Sequence, residues 1–213
     1  MTGDHDERGR DAGLAVALNY AGAARPALEA LFALDATLGR IVRSTTQPLV
    51  GQMRLTWWHE ALAALDRDRP APAEPVLRAL AGEVVAHGVT GAELAAMIEG
   101  WEPLLDAPPL TDAIREAHGE RRGAVLFAMA ARLLGGRSDP AAGAGWALAD
   151  LAAHWSQAAE ADRTREAASV ALRRWRQRMP RTLTVLASLA QDLGGRPSGA
   201  PPSRWAMLRA VLR

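Results

Sequence analysis

Cysteine and lysine are both absent from this chain of 213 residues. Without cysteine there is no disulfide framework, no thiolate metal site and no cysteine nucleophile. Without lysine there is no Schiff-base chemistry and no P-loop lysine, and all 25 basic residues are arginines. No uninterrupted apolar run approaches the ~20 residues that span a bilayer. Met1–Arg10 is polar and charged, lacks the apolar core of a signal peptide, and is expected to be disordered. The formal net charge is only +1, so no global field directs the chain to nucleic acid. A cytoplasmic location is the expectation that fits these absences.

What is present is alanine, leucine and helical periodicity. β-branched alternation is missing, and Gly or Pro interrupts the pattern at intervals of one or two dozen residues. The pattern predicts an all-α fold with helices over 11–22, 26–43, 47–66, 74–87, 90–105, 111–134, 140–160, 163–178, 181–193 and 202–212. Residues 11–213 form one domain in this reading, long enough to bury a core. Several helix ends have a mechanism. Pro26 and Pro48 suit first turns. Thr90 with Glu93 makes a capping box, and Thr111 is a second cap. Gly135-Gly136 stops one helix, and Pro180 breaks another. No repeat of fixed period occurs, and no glycine pattern follows a strand, so neither a solenoid nor a nucleotide fold is implied.

Two helices have charged interiors. In the helix from Pro26, the residues Leu28, Leu31, Phe32, Leu38, Ile41 and Val42 share one face, with Asp35 in its middle and Gly39 one turn later. In the next helix the predicted apolar face is Val50, Trp57, Trp58, Ala61 and Leu65, with Arg54 in its middle. A charge on a core face must be paired or must line a polar cavity. The two helices are joined by the short Ser44–Gln47 connection, so they should pack antiparallel with Asp35 and Arg54 at similar depth. A direct or water-bridged Asp35–Arg54 contact is therefore predicted.

The five histidines form no zincin motif. His154 lies one turn after Asp150, and an ordinary i, i+4 ion pair is the plainer reading of the two. His59 falls on a polar side and should be solvated. Tryptophan is over-represented, seven against two Phe and one Tyr, so aromatic packing rests on it. Trp57 is expected to fill core, although it and Trp58 flank Arg54 and could stack on a guanidinium. Arg163, Arg165, Arg173, Arg174, Arg176, Arg178 and Arg181 surround Trp175. A solvated helix face is the commoner outcome for such a run, with anionic lipid, RNA or an acidic partner as the sharper reading. Arg204–Arg213 is short, basic and amphipathic, which points to peripheral membrane contact.

Three stretches carry a family resemblance. Ala30–Val42 resembles the Ala-Leu-Tyr-Ala-Phe-x-Arg-x-x-Asp-Asp-Ile-Val run of the squalene/phytoene synthases. Arg54-Leu55-Thr56-Trp57-Trp58 resembles their bacterial Arg-Leu-x-Trp-Trp. Gly119–Gly135 resembles the helix whose glycine allows close approach in the central cavity, and Met179-Pro180 is similar to a late Leu-Pro. The likeness covers about residues 14 to 190. It implies a single-domain isoprenoid synthase-type bundle of about ten helices around a central cavity. Family chemistry uses two aspartate-rich segments that hold Mg²⁺ ions against a diphosphate.

In this chain those segments depart from the pattern. Gly39, Arg40 and Arg43 stand where the first has aspartates. In the second, Ala147, Asp150, Ala153, His154 and Ala158 stand for Gln, Asn, Arg and two Asp, and His118 stands for a tyrosine. The chain more closely resembles a divergent branch that includes a mitochondrial respiratory complex I assembly factor, whose members also lack the clusters. The resemblance thus implies a non-catalytic protein without catalytic or metal-binding residues or a cofactor. It would act on an unidentified protein partner, a membrane-complex subunit among the candidates, or on a prenyl lipid, at the inner membrane's surface. The alternative is a residual prenyl transferase, with Mg²⁺ as cofactor, or a prenyl-diphosphate binder in which Arg40, Arg43 and Arg54 hold the diphosphate. Candidate cavity or ligand-binding residues are Asp35, Gly39, Arg43, Arg54, Trp58, His118, Asp150 and His154.

Overall fold

The computed structural model describes residues 12–67, 73–106 and 109–194, and within them every regular element is helical. Helix α1 covers 12–18. Helices α2 (Arg25–Ser44) and α3 (Pro48–Ala63) each carry a proline in the first turn, where the missing N–H costs nothing. Helix α4 (Pro75–Ala79) runs on through a π turn at Leu80–Val84 and a 3-10 turn at Val85–His87. Helix α5 (Gly91–Ala96) opens on the predicted capping box of Thr90 and Glu93. It passes into 3-10 turns at Met97–Gly100 and Glu102–Leu104 in place of the continuous helix expected to 105.

Helix α6 (Asp112–His118), capped by Thr111, continues through a π turn at Gly119–Ala124 into α7 (Val125–Leu133). Gly135 ends α7 with φ +69°, a backbone state that an L side chain resists. Helices α8 (Pro140–His154), α9 (Ala158–Arg174) and α10 (Arg181–Gly194) complete the order. The helix expected over 140–160 is thus two, because Trp155 turns extended and α9 restarts after Gln157. The expectations for 1–10, for 202–212 and for Arg204–Arg213 lie outside the described residues.

A single apolar cluster fills the bundle. Leu28, Leu31, Leu34 and Leu38 of α2, Leu55 and Leu62 of α3, and Phe127 of α7 are all fully buried in it. Helix α8 packs on α9, α10 and the π turn before α7. Glycine makes the last contact possible. A Cβ on Gly123 would meet the Gly143 carbonyl oxygen at 2.1 Å, and one on Gly143 would meet the Gly123 oxygen at 2.5 Å. The two backbones therefore touch, as the glycine-bearing Gly119–Gly135 stretch implied.

The face expected for α2 is buried, Asp35 included, except that Val42 is half-buried. The face expected for α3 is not. Its buried side is Gly51, Leu55, Trp58, Ala61 and Leu62, while Leu49, Val50, Met53, Arg54 and Trp57 are exposed. Trp57 is 48% exposed, which corrects its assignment to the core; it meets Trp58 edge-on at 5.4 Å. The physical reason is that α3 carries apolar residues around most of its circumference. Periodicity then cannot choose a face, and contact with α2 and α5 does.

The arginine-rich stretch keeps its plainer reading where it is described. Arg163, Arg165 and Arg173 pair with Glu160, Asp162 and Glu166 along α9. Buried Arg115 reaches across to Glu160 at 3.0 Å and so ties α6 to α9.

Asp139 ties α8 to the segment after α9. Its carboxylate accepts from the backbone N–H groups of Ala141, Ala142, Arg176 and Gln177 at 2.9–3.2 Å. Burial alone would raise its pKa, but these four donors outweigh burial and hold it below the usual carboxylate value. The stabilisation is present above the unfolded pKa and is lost as pH falls through the lowered folded one. Asp139→Ala should cost about 1–3 kcal/mol in urea unfolding at neutral pH, since a cap and two further acceptor contacts go together. Asp139→Asn, which keeps an acceptor oxygen, should cost less.

Candidate functional site at the centre of the bundle

Arg122 sits on the π turn between α6 and α7 and is 2% exposed. A π turn shifts the register of the helix and often marks a site. The guanidinium is fully committed. Nε donates to Asp35 Oδ1 and Nη2 to Asp35 Oδ2, both at 2.8 Å, a bidentate fork across to α2. Nη2 also lies 2.7 Å from Asp150 Oδ2 on α8. Nη1 meets His118 Nε2 at 3.0 Å and the Ala147 carbonyl at 3.5 Å. The five N–H groups of an arginine thus have five acceptors. Trp101 and Trp146 stand over the guanidinium, with ring centroids 4.2 and 4.9 Å from its central carbon.

Burial opposes the charge on Arg122, but Asp35 and Asp150 outweigh it, so its pKa rises above the ordinary arginine value. For His118 the balance goes the other way. Complete burial, then the neighbouring Arg122 charge, lower its pKa to about 3, against the opposing pull of the Gly100 carbonyl and Asp150. The neutral ring has one consistent tautomer. Nδ1–H donates to the Gly100 carbonyl at 2.6 Å, which leaves the Nε2 lone pair to accept from Arg122. Gly100 must be glycine for this, because a Cβ there would meet the Arg122 backbone nitrogen at 2.6 Å.

Sequence reasoning named eight candidates, and the fold sorts them. Asp35, His118 and Asp150 converge on Arg122. His154 follows Asp150 one turn on, but its Nδ1 hydrogen-bonds the Asp150 backbone carbonyl at 2.7 Å and stands 3.5 Å from Oδ1, so the expected i, i+4 contact is made mainly through the backbone. Gly39 is buried under Trp101 and Arg43, each 2.9 Å from where a Cβ would stand. A cavity of about 300 Å³ opens beside the cluster, lined by Arg43, Trp101, Arg122, Asp150, His154 and Trp155 among others. The buried indole N–H groups of Trp101 and Trp155 have no hydrogen-bond partner.

Arg54 and Trp58 belong elsewhere. They line a separate groove of about 550 Å³ with Thr37, Arg40, Ile41, Arg43 and Ser44. The predicted Asp35–Arg54 contact is therefore corrected. Asp35 pairs with Arg122, and Arg54 Nη1 donates to Thr45 Oγ1 at 3.4 Å. The rotation of α3 turns Arg54 to the exposed side of the helix, away from Asp35. Sequence reasoning missed Arg122 and its tryptophan walls. A signal existed in His118 and Arg122 at i, i+4, yet Arg121 beside it reads identically and is an exposed surface arginine paired with Glu99.

The described residues thus define an all-α domain of the isoprenoid synthase type, with charged side chains at the centre of its helices. The sequence model of the squalene/phytoene synthases matches residues 8–161. The chain belongs to that family. No curated protein and no solved structure matches it. Among the described residues no three His, Asp or Glu side chains gather where they could hold a metal ion.

Two predictions test the cluster. Arg122→Met leaves two buried carboxylates without their cation and should cost about 3–5 kcal/mol in urea unfolding. Arg122→Lys should recover only part of this, because an ammonium cannot reproduce the fork. Separately, unfolded chains take up a proton on histidine below pH about 6.5, while folded His118 resists protonation down to about 3. Its contribution is complete above the unfolded pKa and falls by about 1.4 kcal/mol per pH unit as pH drops through that window. His118→Gln should make the acid limb of the stability–pH curve shallower by about that slope, read by urea unfolding from pH 7 to 4.

Proposed function

We propose that the chain is a non-catalytic member of the squalene/phytoene synthase family, acting through protein or lipid contacts. Assembly of a respiratory membrane complex is the role its sequence resemblance favours, at the cytoplasmic face of the inner membrane. No described helix is long and apolar enough to cross a membrane, so any such contact would be peripheral.

The observation that carries this reading is the position of the Arg122 guanidinium. The carboxylates of α2 and α8 that meet at the bundle centre, Asp35 and Asp150, are both bound to it. A magnesium–diphosphate centre needs carboxylates free to bridge cations. Here a buried guanidinium lies between them, and Gly39, Arg40 and Arg43 stand where the first aspartate segment would supply more. The residues present do not fit that group. Incubation with farnesyl or geranylgeranyl diphosphate and Mg²⁺ should give no head-to-head product above a heat-killed control. Sustained turnover would overturn the proposal.

A second reading, metal-independent binding of a prenyl diphosphate or other isoprenoid, is favoured by the cavity beside Arg122. The unpartnered indole N–H groups of Trp101 and Trp155 would donate to a ligand oxygen, and Arg43 lines both this cavity and the arginine groove. It requires saturable binding that survives EDTA and weakens in Arg43→Gln and Arg54→Gln.

A further inference from the structure

Helix α3 presents an apolar stripe to solvent. Leu49, Met53 and Trp57, spaced one turn apart, are 67%, 66% and 48% exposed, and Val50 beside them is 44% exposed. They are the large hydrophobic side chains most exposed among the described residues, with only Tyr20 besides. The opposite face of α3 is packed into the core through Leu55, Trp58 and Leu62. A helix that is apolar on both sides while lying at the surface calls for a cover on its outer side.

The surrounding charge indicates what covers it. From Ala36 to His59 the chain holds Arg40, Arg43 and Arg54 and no aspartate or glutamate, and the first acid after them is the exposed Glu60, one turn beyond Trp57. Arg54 follows Val50 by one turn, so it borders the stripe. Arg40 and Arg43 face it from α2 across the groove of about 550 Å³. Arg40 and Arg54 hydrogen-bond to the hydroxyls of Thr37 and Thr45, which leave their charge in place. A second copy of the chain docked on the same face would bring three arginines against three, with Glu60 the single α3 acid nearby, so the charges would not balance. An anionic bilayer meets both requirements. Leu49, Met53 and Trp57 enter the headgroup–acyl boundary, where tryptophan is favoured, and the arginines meet lipid phosphates.

We propose that the outer face of α3 is a peripheral docking surface for an anionic membrane. Leu49, Val50, Met53 and Trp57 form its inserted edge, and Arg40, Arg43 and Arg54 form a groove for headgroup phosphate. The proposal places the contact on α2 and α3. It stands whether or not the central cavity has a ligand.

The test is co-sedimentation of the full chain with phosphatidylcholine vesicles, with and without about 30% phosphatidylglycerol, at low and high salt. The chain should partition to the anionic vesicles at low salt and weakly to phosphatidylcholine alone. Met53→Ser with Trp57→Ser should reduce partitioning at least about tenfold, from the apolar area withdrawn. Arg40→Gln with Arg54→Gln should reduce it by about fivefold per charge and flatten the salt dependence. All four side chains are exposed, so thermal melting should be unchanged; Leu49→Ser serves if a double variant melts early. Three results overturn the proposal. One is no co-sedimentation of the parent chain at low salt. Another is parent-like partitioning by both double variants. The third is a self-associated parent that Met53→Ser with Trp57→Ser makes monomeric, or an acidic protein held by this face, without vesicle binding.

Discussion

A single buried arginine organises this bundle. The Arg122 guanidinium takes Asp35 from α2, Asp150 and the Ala147 carbonyl from α8, and His118 from its own helix, while Trp101 and Trp146 cover its faces. A charge so far from water is tolerable only when every donor has a partner. Because the acceptors belong to different helices, that condition aligns them with one another. Rotating α2 or α8 by one residue would strand a carboxylate. The interaction therefore confers specificity of packing more than net stability, since desolvation offsets much of the attraction.

The rest of the centre follows from that requirement. Gly100 lets the 3-10 turn come within reach of the His118 ring, and Gly123 and Gly143 let α8 approach closely enough for Asp150 to meet the guanidinium. His118 stays neutral because burial and the Arg122 charge both disfavour a proton, and neutrality lets its Nε2 accept from Arg122. Electrostatics and tautomer thus support each other. What remains open beside the cluster is a small cavity bounded by Arg43, His154 and two tryptophans.

The functional argument divides between centre and surface. At the centre, the carboxylates of Asp35 and Asp150 are bound to Arg122. At the surface, α3 carries apolar side chains on the side its own fold does not cover, next to three arginines. The two features share the α2–α3 pair: Arg43 borders both the cavity and the groove. A family scaffold with an internal ion cluster at its centre and an exposed apolar helix face fits the binding role proposed above.

Much of this was legible in the chain alone. The close approach at Gly123 was implied by the family resemblance, while the helical class, the caps at Thr90, Thr111 and Pro48 and the burial of Asp35 all follow from local spacing. Local spacing carries them because they depend on residues within a turn or two of one another. The family, too, was legible, since its motifs are contiguous. The partner of Asp35 was not. Arg122 lies 87 residues away, and nothing local distinguishes it from the exposed Arg121 beside it. The break between α8 and α9 escaped detection because alanine-rich sequence continues through it. The face of α3 escaped too, because a helix apolar all round has no preferred side until its neighbours dock. Sequence determined which segments are helices and which residues must find partners. Tertiary packing alone decided which partners they found, because pairing across helices depends on their rotation and depth, and no local pattern encodes either.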